Sequence, residues 1–463
     1  VPAASPTTRR IGRSSCLCAP VAALVRADAS LCKPVARRKY TMLTVDEELA
    51  FLWAGYVPTW DPAMLRGIAG EPEEFAALKR DLAKRSEISL LGEAKERFEA
   101  TMARSLAATG ARRHVVPLSG GVDSRAILAW LCENVDRETI VAVSFGVPGT
   151  YDYEFPRAVA RAAGVRHELV NLDDLPITLD DMAQTAAMLP FLVELWTATQ
   201  FRLVKERFAG DDSAVWVGYL GDPTAGSKYL PANESADFRS SVDRFVRQSR
   251  WAPSPIRETD SRAAFAARMP SRPFIDDPAI MTFEEQLLYA VKQAAYTEPV
   301  QYAGENLETV APFTHVEWSS FMMALPGTLR LGCGLYFRIL LGRFPDMMAL
   351  PTKTVPGFSL ARPRRTGSLT EQLETKVRAA LRRFGVPGMV NRQENYLNFN
   401  EAFRRRPEFQ RMAHLAAERL NSRSPFEGID LRAIVDAHRK AGTDNHRNLM
   451  LLTSLYAARS QAS

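Results

Sequence analysis

From His114 onward, short apolar runs alternate with stretches whose apolar positions recur every three or four residues. The runs predict strands over Val115–Leu118, Ile140–Phe145, His167–Asn171 and Ala214–Val217. The helical periods predict helices over Ser124–Asn134 and Asp152–Ala163, and further helix as far as Phe208. Such alternation predicts an α/β fold, a parallel twisted sheet with flanking crossover helices. Ligands of such sheets sit beyond the carboxyl ends of the strands. Ahead of this core, residues 42–110 read as helix, with Trp53, Tyr56 and Trp60 as packing aromatics. The core spans 111–230. Residues 231–280 are rich in Ser, Arg and Pro and read as a mobile insertion, and 281–463 read as a mostly helical C-terminal part. No internal repeat is visible.

The first strand runs into Ser119-Gly120-Gly121-Val122-Asp123-Ser124, and a helix follows at once. A Gly-rich turn at a helix N-terminus is an anion site, because free amide N–H groups and the positive end of the helix dipole point into it. Two glycines let the backbone approach a ligand where a Cβ would clash. Ser119 and Ser124 add hydroxyls. The Asp123 carboxylate belongs beside a phosphate if a hard cation such as Mg²⁺ lies between them. An ordinary structural corner is the plainer reading of a Gly-Gly turn taken alone.

The fourth strand ends at a second Gly-rich turn, Gly218-Tyr219-Leu220-Gly221-Asp222-Pro223. From Gly221 to Lys228 the chain nearly spells a Walker A loop, but the last two residues, Ser227 and Lys228, are inverted. The lysine of that loop must reach the β/γ-phosphates and its hydroxyl must hold Mg²⁺, so the inversion misplaces both groups.

The string Ser-Gly-Gly-Val-Asp-Ser after an apolar strand resembles the pyrophosphate loop of the N-type ATP pyrophosphatases. Its flanks, Pro117-Leu118 before and Arg125-Ala-Ile-Leu-Ala after, resemble the synthetase domain of the asparagine synthetase family. The resemblance implies an adenine nucleotide α-hydrolase-like fold and bound ATP. It also implies attack of a carboxylate on the α-phosphorus, giving an acyl-adenylate and PPi. The implied ATP contacts are Leu118, Ser119, Gly120, Gly121, Asp123, Ser124, Val143, Ser144 and Gly218. The second turn resembles the family's Gly-Glu-Gly-x-Asp-Glu-x-x-Gly-Gly motif, with Gly218 on the first Gly and Asp222 on the Asp. The implied Mg²⁺ ligands are Asp123 and Asp222. Tyr219 stands where the family has Glu, and Pro223 where it has a further acidic residue. β-Lactam and carbapenam synthetases, relatives that close a ring through an internal amine, share a Tyr here that works with a Glu as a base. The resemblance therefore implies Tyr219 as a catalytic base.

Further on, Gly304 to His315 is similar to the family's Gly-x-Glu-x-Arg-x-Pro-Phe-Leu-Asp, with Glu308, Pro312 and Phe313 matching. Glu308 is the implied partner of Tyr219. The family's Arg-x-Lys-x-Gly-Phe becomes Lys353-Thr-Val355-Pro-Gly357-Phe358, so Lys353 falls on the Arg and Val355 on the Lys. A cation near the α-phosphate would stabilise the charge that develops there. Lys353 is the implied catalytic cation, with Arg362, Arg364 and Arg365 as alternatives.

Charge and cysteine content change this picture little. The net charge is +6, but residues 1–41 hold eight Arg/Lys and one acidic residue, so the remainder is nearly neutral and calls for no nucleic-acid partner. That segment reads as a disordered basic extension, either a transit peptide or an upstream stretch ahead of a start near Met42. In the body only Cys132 and Cys333 remain, the usage of a reduced cytoplasmic protein. No apolar run reaches membrane-spanning length. The chain before Ser119 is too short for the family's glutaminase domain. The resemblance therefore implies small-molecule carboxylate and amine substrates, or ammonia fed by a separate amidotransferase subunit. The expected function is an AMP-forming amide ligase of specialised metabolism. The alternatives are asparagine formation and a nucleotide-binding pseudoenzyme, the latter because Val310, His315 and Val355 replace the family's Arg, Asp and Lys.

Overall fold

The structure is a computed structural model and describes residues 43–210, 212–305, 307–354, 359–361, 377, 392–393, 396–440 and 443–460. The extension 1–41 lies outside the described residues, as do Val355, Gly357, Phe358, Arg362, Arg364 and Arg365.

Four helices precede the sheet: α1 (Val45–Ala54), α2 (Pro62–Ala69), α3 (Pro72–Leu82) and α4 (Glu87–Ala108). Their starts follow local chemistry. Thr44 and Glu47 form a capping box on α1, Asp61 caps α2 ahead of Pro62, and Ser86 caps α4. The sheet contains β1 (Arg113–Pro117), β2 (Ile140–Gly146), β3 (Arg166–Asn171), β4 (Ser213–Trp216) and β5 (Glu308–Val310). All neighbours are parallel, in the order β3-β2-β1-β4-β5. Helices α5 (Asp123–Asn134), α6 (Tyr151–Ala163), α7 (Leu179–Met188) and α8 (Leu195–Phe208) connect the strands. The middle of β1 and all of β4 are buried, as a parallel sheet covered on both faces requires, and this is why they read as unbroken apolar runs. The four expected strands are present, their ends displaced by at most two residues. β5 is not foreshadowed, because three residues at a sheet edge are too few for a period to show.

Strand order reverses at β1, so the turns after β1 and β4 lie side by side at the carboxyl edge, where such sheets bind ligands. Two buried apolar clusters support this edge. One is built on the sheet and α5. The other surrounds Trp196 of α8, which stacks on Phe409 at 4.6 Å and packs against the C-terminal helices.

Residues 231–280, expected as a mobile insertion, contain the helices Phe238–Gln248 and Glu258–Ala266. Phe245, Val246 and Phe265 are buried. Phe265 meets Tyr56, just beyond α1, edge-on at 5.8 Å. The Ser and Arg residues on the outer faces mask this apolar stripe in the composition. Among the described residues, no helix is long and apolar enough to cross a membrane.

Candidate functional site

The Ser119–Ser124 turn is fixed largely by its own side chains. The Ser119 amide donates to Ser124 Oγ at 3.1 Å, and the Gly121 amide donates to Ser119 Oγ at 3.2 Å. The Gly120 amide donates to Asp152 Oδ1 at 2.7 Å. The turn's amides therefore meet hydroxyl and carboxylate oxygens, a set of partners that the motif does not announce. A Cβ at Gly120 would lie 3.0 Å from the carbonyl oxygen of Tyr151, which accounts for glycine there. Helix α5 begins without a side-chain cap, so its positive end faces the turn.

Asp123 sits against the second turn. A Cβ at Gly221 would lie 2.5 Å from Asp123 Cγ, and one at Gly218 would lie 2.7 Å from Asp123 Cβ. The intervening Leu220 adopts φ 65, a left-handed conformation that non-glycine residues seldom hold outside constrained sites. Tyr336, fully buried, donates its hydroxyl to Asp123 Oδ1 at 2.8 Å. Burial, then the charge of Asp222, pushes the Asp123 carboxyl up from its ordinary range. A cation between the two carboxylates would relieve both effects, so the pair fits a hard ion completed by phosphate and water oxygens. Among the described residues, no group of three or more His, Cys, Asp and Glu gathers at a metal-binding distance.

Lys353 reaches the turn along a segment tied down from two sides. Thr352 Oγ1 and the Lys353 amide both donate to Gly120 O, at 2.9 and 2.8 Å. The Lys353 ammonium pairs with Asp152 Oδ2 at 2.9 Å. Below, the fully buried Arg125 of α5 donates to the carbonyls of Met347, Leu350 and Pro351 at 3.1, 2.9 and 2.6 Å. One helix thus carries both the loop carboxylate, Asp123, and the anchor of the lysine segment.

Two cavities open here. One of about 320 Å³ is lined by Leu118, the two turns, Phe145, Phe201, Tyr396, Gln293, Thr297 and Gln301. The other, of about 500 Å³, is lined by Gly121, Ser227, Cys333, Phe337 and Thr354. Ser119, Asp123, Asp222 and Lys353 border both. Phe145 faces Phe201 at 5.9 Å and Tyr396 at 6.1 Å, forming an aromatic wall on the β2 side.

The structure brings Leu118, Ser119, Gly121, Asp123, Ser124, Gly218, Tyr219, Asp222 and Lys353 to these cavities. Val143 and Ser144 lie beneath, both buried. Ser144 Oγ donates to Leu118 O at 2.7 Å, so it supports the strand end from below, and Phe145 is the β2 residue that lines the cavity. Glu308 is not brought to Tyr219. It pairs with Ala214, four residues before Gly218, roughly 13 Å short of the turn at about 3.3 Å per residue. Its charge acts instead on His114. Tyr219 is 6% exposed, and its hydroxyl is buried without a hydrogen-bond partner. Burial, then the charge of Glu298, holds the phenol well above its ordinary range. Glu298 is pushed up to about 7, by burial first and Asp61 second.

Several contributors are missing from the sequence reading, Asp152, Gln293, Thr297 and Gln301 among them. Asp152 resembles any acidic residue in a helix's first turn. Gln293, Thr297 and Gln301 do leave a trace, uncharged polar residues at every fourth position in a largely apolar stretch that also holds Lys292 and Glu298. Gln293 and Thr297 belong to the π-helix Leu288–Thr297, a form enriched at functional sites, and Gln301 to the α-helix Glu298–Tyr302 that continues it. Comparison with models of known protein families and with the curated proteins finds no match to this chain.

Proposed function

We propose that this protein is an ATP- and Mg²⁺-dependent ligase that adenylates a carboxylic acid and joins it to an amine, releasing PPi and AMP. The observation that carries the reading is the meeting of the Ser119–Ser124 turn, Asp222 and Lys353 at the switch point of a parallel sheet. The resemblance of both turns to motifs of the asparagine synthetase family supports it. The two cavities sharing Ser119, Asp123, Asp222 and Lys353 suit a nucleotide cut between its α- and β-phosphates, with pyrophosphate on one side and adenylate on the other.

In this reading a carboxylate oxygen attacks the α-phosphorus, the bond to the β-phosphate breaks and PPi leaves. The amine nitrogen then attacks the acyl carbon, the bond to AMP breaks and the nitrogen gives up a proton. The positive end of α5 and the Lys353 ammonium oppose the charge on the phosphates. Asp123 and Asp222 would hold Mg²⁺, which when bound neutralises phosphate charge. The aromatic wall suits the adenine ring. Tyr219, whose buried hydroxyl has no hydrogen-bond partner, suits orientation of substrate by donation. One observation favours nucleotide binding without turnover: Asp152 engages both the Gly120 amide and Lys353, groups that the phosphates would need.

The test is exchange of labelled PPi into ATP with Mg²⁺ and pools of carboxylic acids. Exchange that requires an acid supports the ligase. ATP binding with no exchange in any pool supports the second reading. AMP release with aspartate and ammonia would point to asparagine formation. Asp123→Asn and Asp222→Asn should each abolish exchange; full exchange in either removes the metal assignment.

A further inference from the structure

The smaller cavity has two chemically distinct ends. Its charged lining residues among those described, Asp123, Asp152, Asp222 and Lys353, belong to the phosphate end. At the other end Gln293, Thr297 and Gln301 recur along one helical run, and Tyr219 joins them from the second turn. Two atoms at this end are buried without a hydrogen-bond partner, Gln293 Oε1 and Tyr219 Oη, on residues 8% and 6% exposed. An unmatched buried polar atom is costly, so residues that retain two of them in a cavity wall point to a ligand that satisfies both. One atom is an acceptor. The other belongs to a hydroxyl that can donate. An amide offers both a donor and an acceptor, so one such group can meet both, its N–H toward Gln293 Oε1 and its C=O toward the Tyr219 hydroxyl.

A charged substituent fits less well. A carboxylate would accept from Tyr219 but be repelled by Gln293 Oε1. Its nearest cation in the lining is Lys353, already 2.9 Å from Asp152. The uncharged end is firmly held, since the fully buried Lys205 donates to Gln301 O at 2.6 Å.

We propose that the acid taken by this site is a monocarboxylic acid whose tail carries an uncharged amide, seated against Gln293 and Tyr219. The proposal rests on the adenylating reading above and narrows its substrate class away from dicarboxylates such as aspartate.

The test uses the full chain with Mg²⁺ and α,β-methylene-ATP, reading the thermal unfolding midpoint. The probes are the N-acetyl derivatives of glycine, β-alanine and γ-aminobutyrate, against aspartate, succinate and glutarate. The expected result is a further upward shift with an N-acetyl acid and none with the dicarboxylates. Gln293→Leu should weaken the N-acetyl acid by about tenfold, the loss expected for one buried hydrogen bond. Tyr219→Phe, which removes the donor, serves as the second variant if Gln293→Leu does not fold, and should also weaken the N-acetyl acid. A dicarboxylate shift equal to or larger than that of the N-acetyl acids overturns the proposal, as does the absence of any N-acetyl shift. The nucleotide shift is read first and separately: its absence overturns the ATP reading, whereas its presence with the wrong acid preference overturns only the substrate class.

Discussion

Replacing Arg125 by leucine should release the segment that carries Lys353. Arg125 is fully buried, and burial pushes its guanidinium down only to about 10, so it is charged at neutral pH. It donates to three carbonyls, those of Met347, Leu350 and Pro351. Hydrogen bonds from a charged donor contribute roughly 1.5–3 kcal/mol each. The three do not add in full. Met347 O keeps the Leu350 amide at 3.3 Å, and water can reach part of a loosened segment. A loss of about 3–5 kcal/mol follows. Unfolding entropy is about 2.1 cal/mol/K per residue, and roughly 380 residues are described, so the unfolding midpoint should fall by about 4–6 °C. The functional effect should be larger. Thr352 and Lys353 reach Gly120 O from this segment, and a displacement of about 1 Å near reacting atoms can lower a rate about a hundredfold. Arg125→Lys keeps the charge but lacks the planar fork, so it should recover part of the stability and little of the exchange rate. An Arg125→Leu protein that melts within about 1 °C of the parent would refute the anchoring argument. So would exchange within about twofold of the parent, whatever the melting behaviour.

Three further outcomes are expected. Gly221→Ala should abolish stabilisation by Mg²⁺ and α,β-methylene-ATP, because the new Cβ would lie 2.6 Å from Asp123 Oδ1. Gly92→Ala in α4, where a Cβ meets nothing within 4 Å, should stabilise by about 0.5–1 kcal/mol; calorimetry on the pair distinguishes crowding at Asp123 from a general intolerance of glycine loss. Lys205, pushed down by burial from 10.5 to about 7, makes the folded state bind fewer protons than the unfolded chain between those values. Stability should therefore rise with pH across that window and be lost as pH falls toward 7, by at most about 5 kcal/mol. Lys205→Met should flatten the rise in urea titrations at several pH values, and an unchanged slope would show that the lysine is not the cause. Glu298, pushed up by burial from 4.5 to about 7, makes the folded state bind more protons than the unfolded chain between those values, so its contribution to stability should be lost as pH rises through that window. Glu298→Gln should flatten that loss in the same urea titrations, and an unchanged slope would show that the glutamate is not the cause.

The parts of this site that were legible share a physical property: their partners are fixed by chain-local geometry. The β1 turn and α5 stand out because a buried parallel strand reads as a continuous apolar run, and the glycines mark where backbone must come close. Asp123 and Asp222 carry sequence context, but their meeting depends on β1 and β4 being neighbours, and strand order is not written in the strands. Glu308 shows the opposite failure. Its motif matches, yet the three-residue β5 sets its register against Ala214 and turns it toward the amino end of the sheet. Arg125, Asp152 and Lys205 were illegible for a third reason. Their main partners are backbone atoms: the carbonyls of 347, 350 and 351, the Gly120 amide and the Gln301 carbonyl. Every residue but proline has such an amide and every residue such a carbonyl, so no residue type at the far end signals the contact. What a sequence can offer is the anomaly at the near end, a charge on an otherwise apolar helix face. Arg125 on the buried face of α5 is one such anomaly, and it leads to the lysine segment that the motif alone left uncertain.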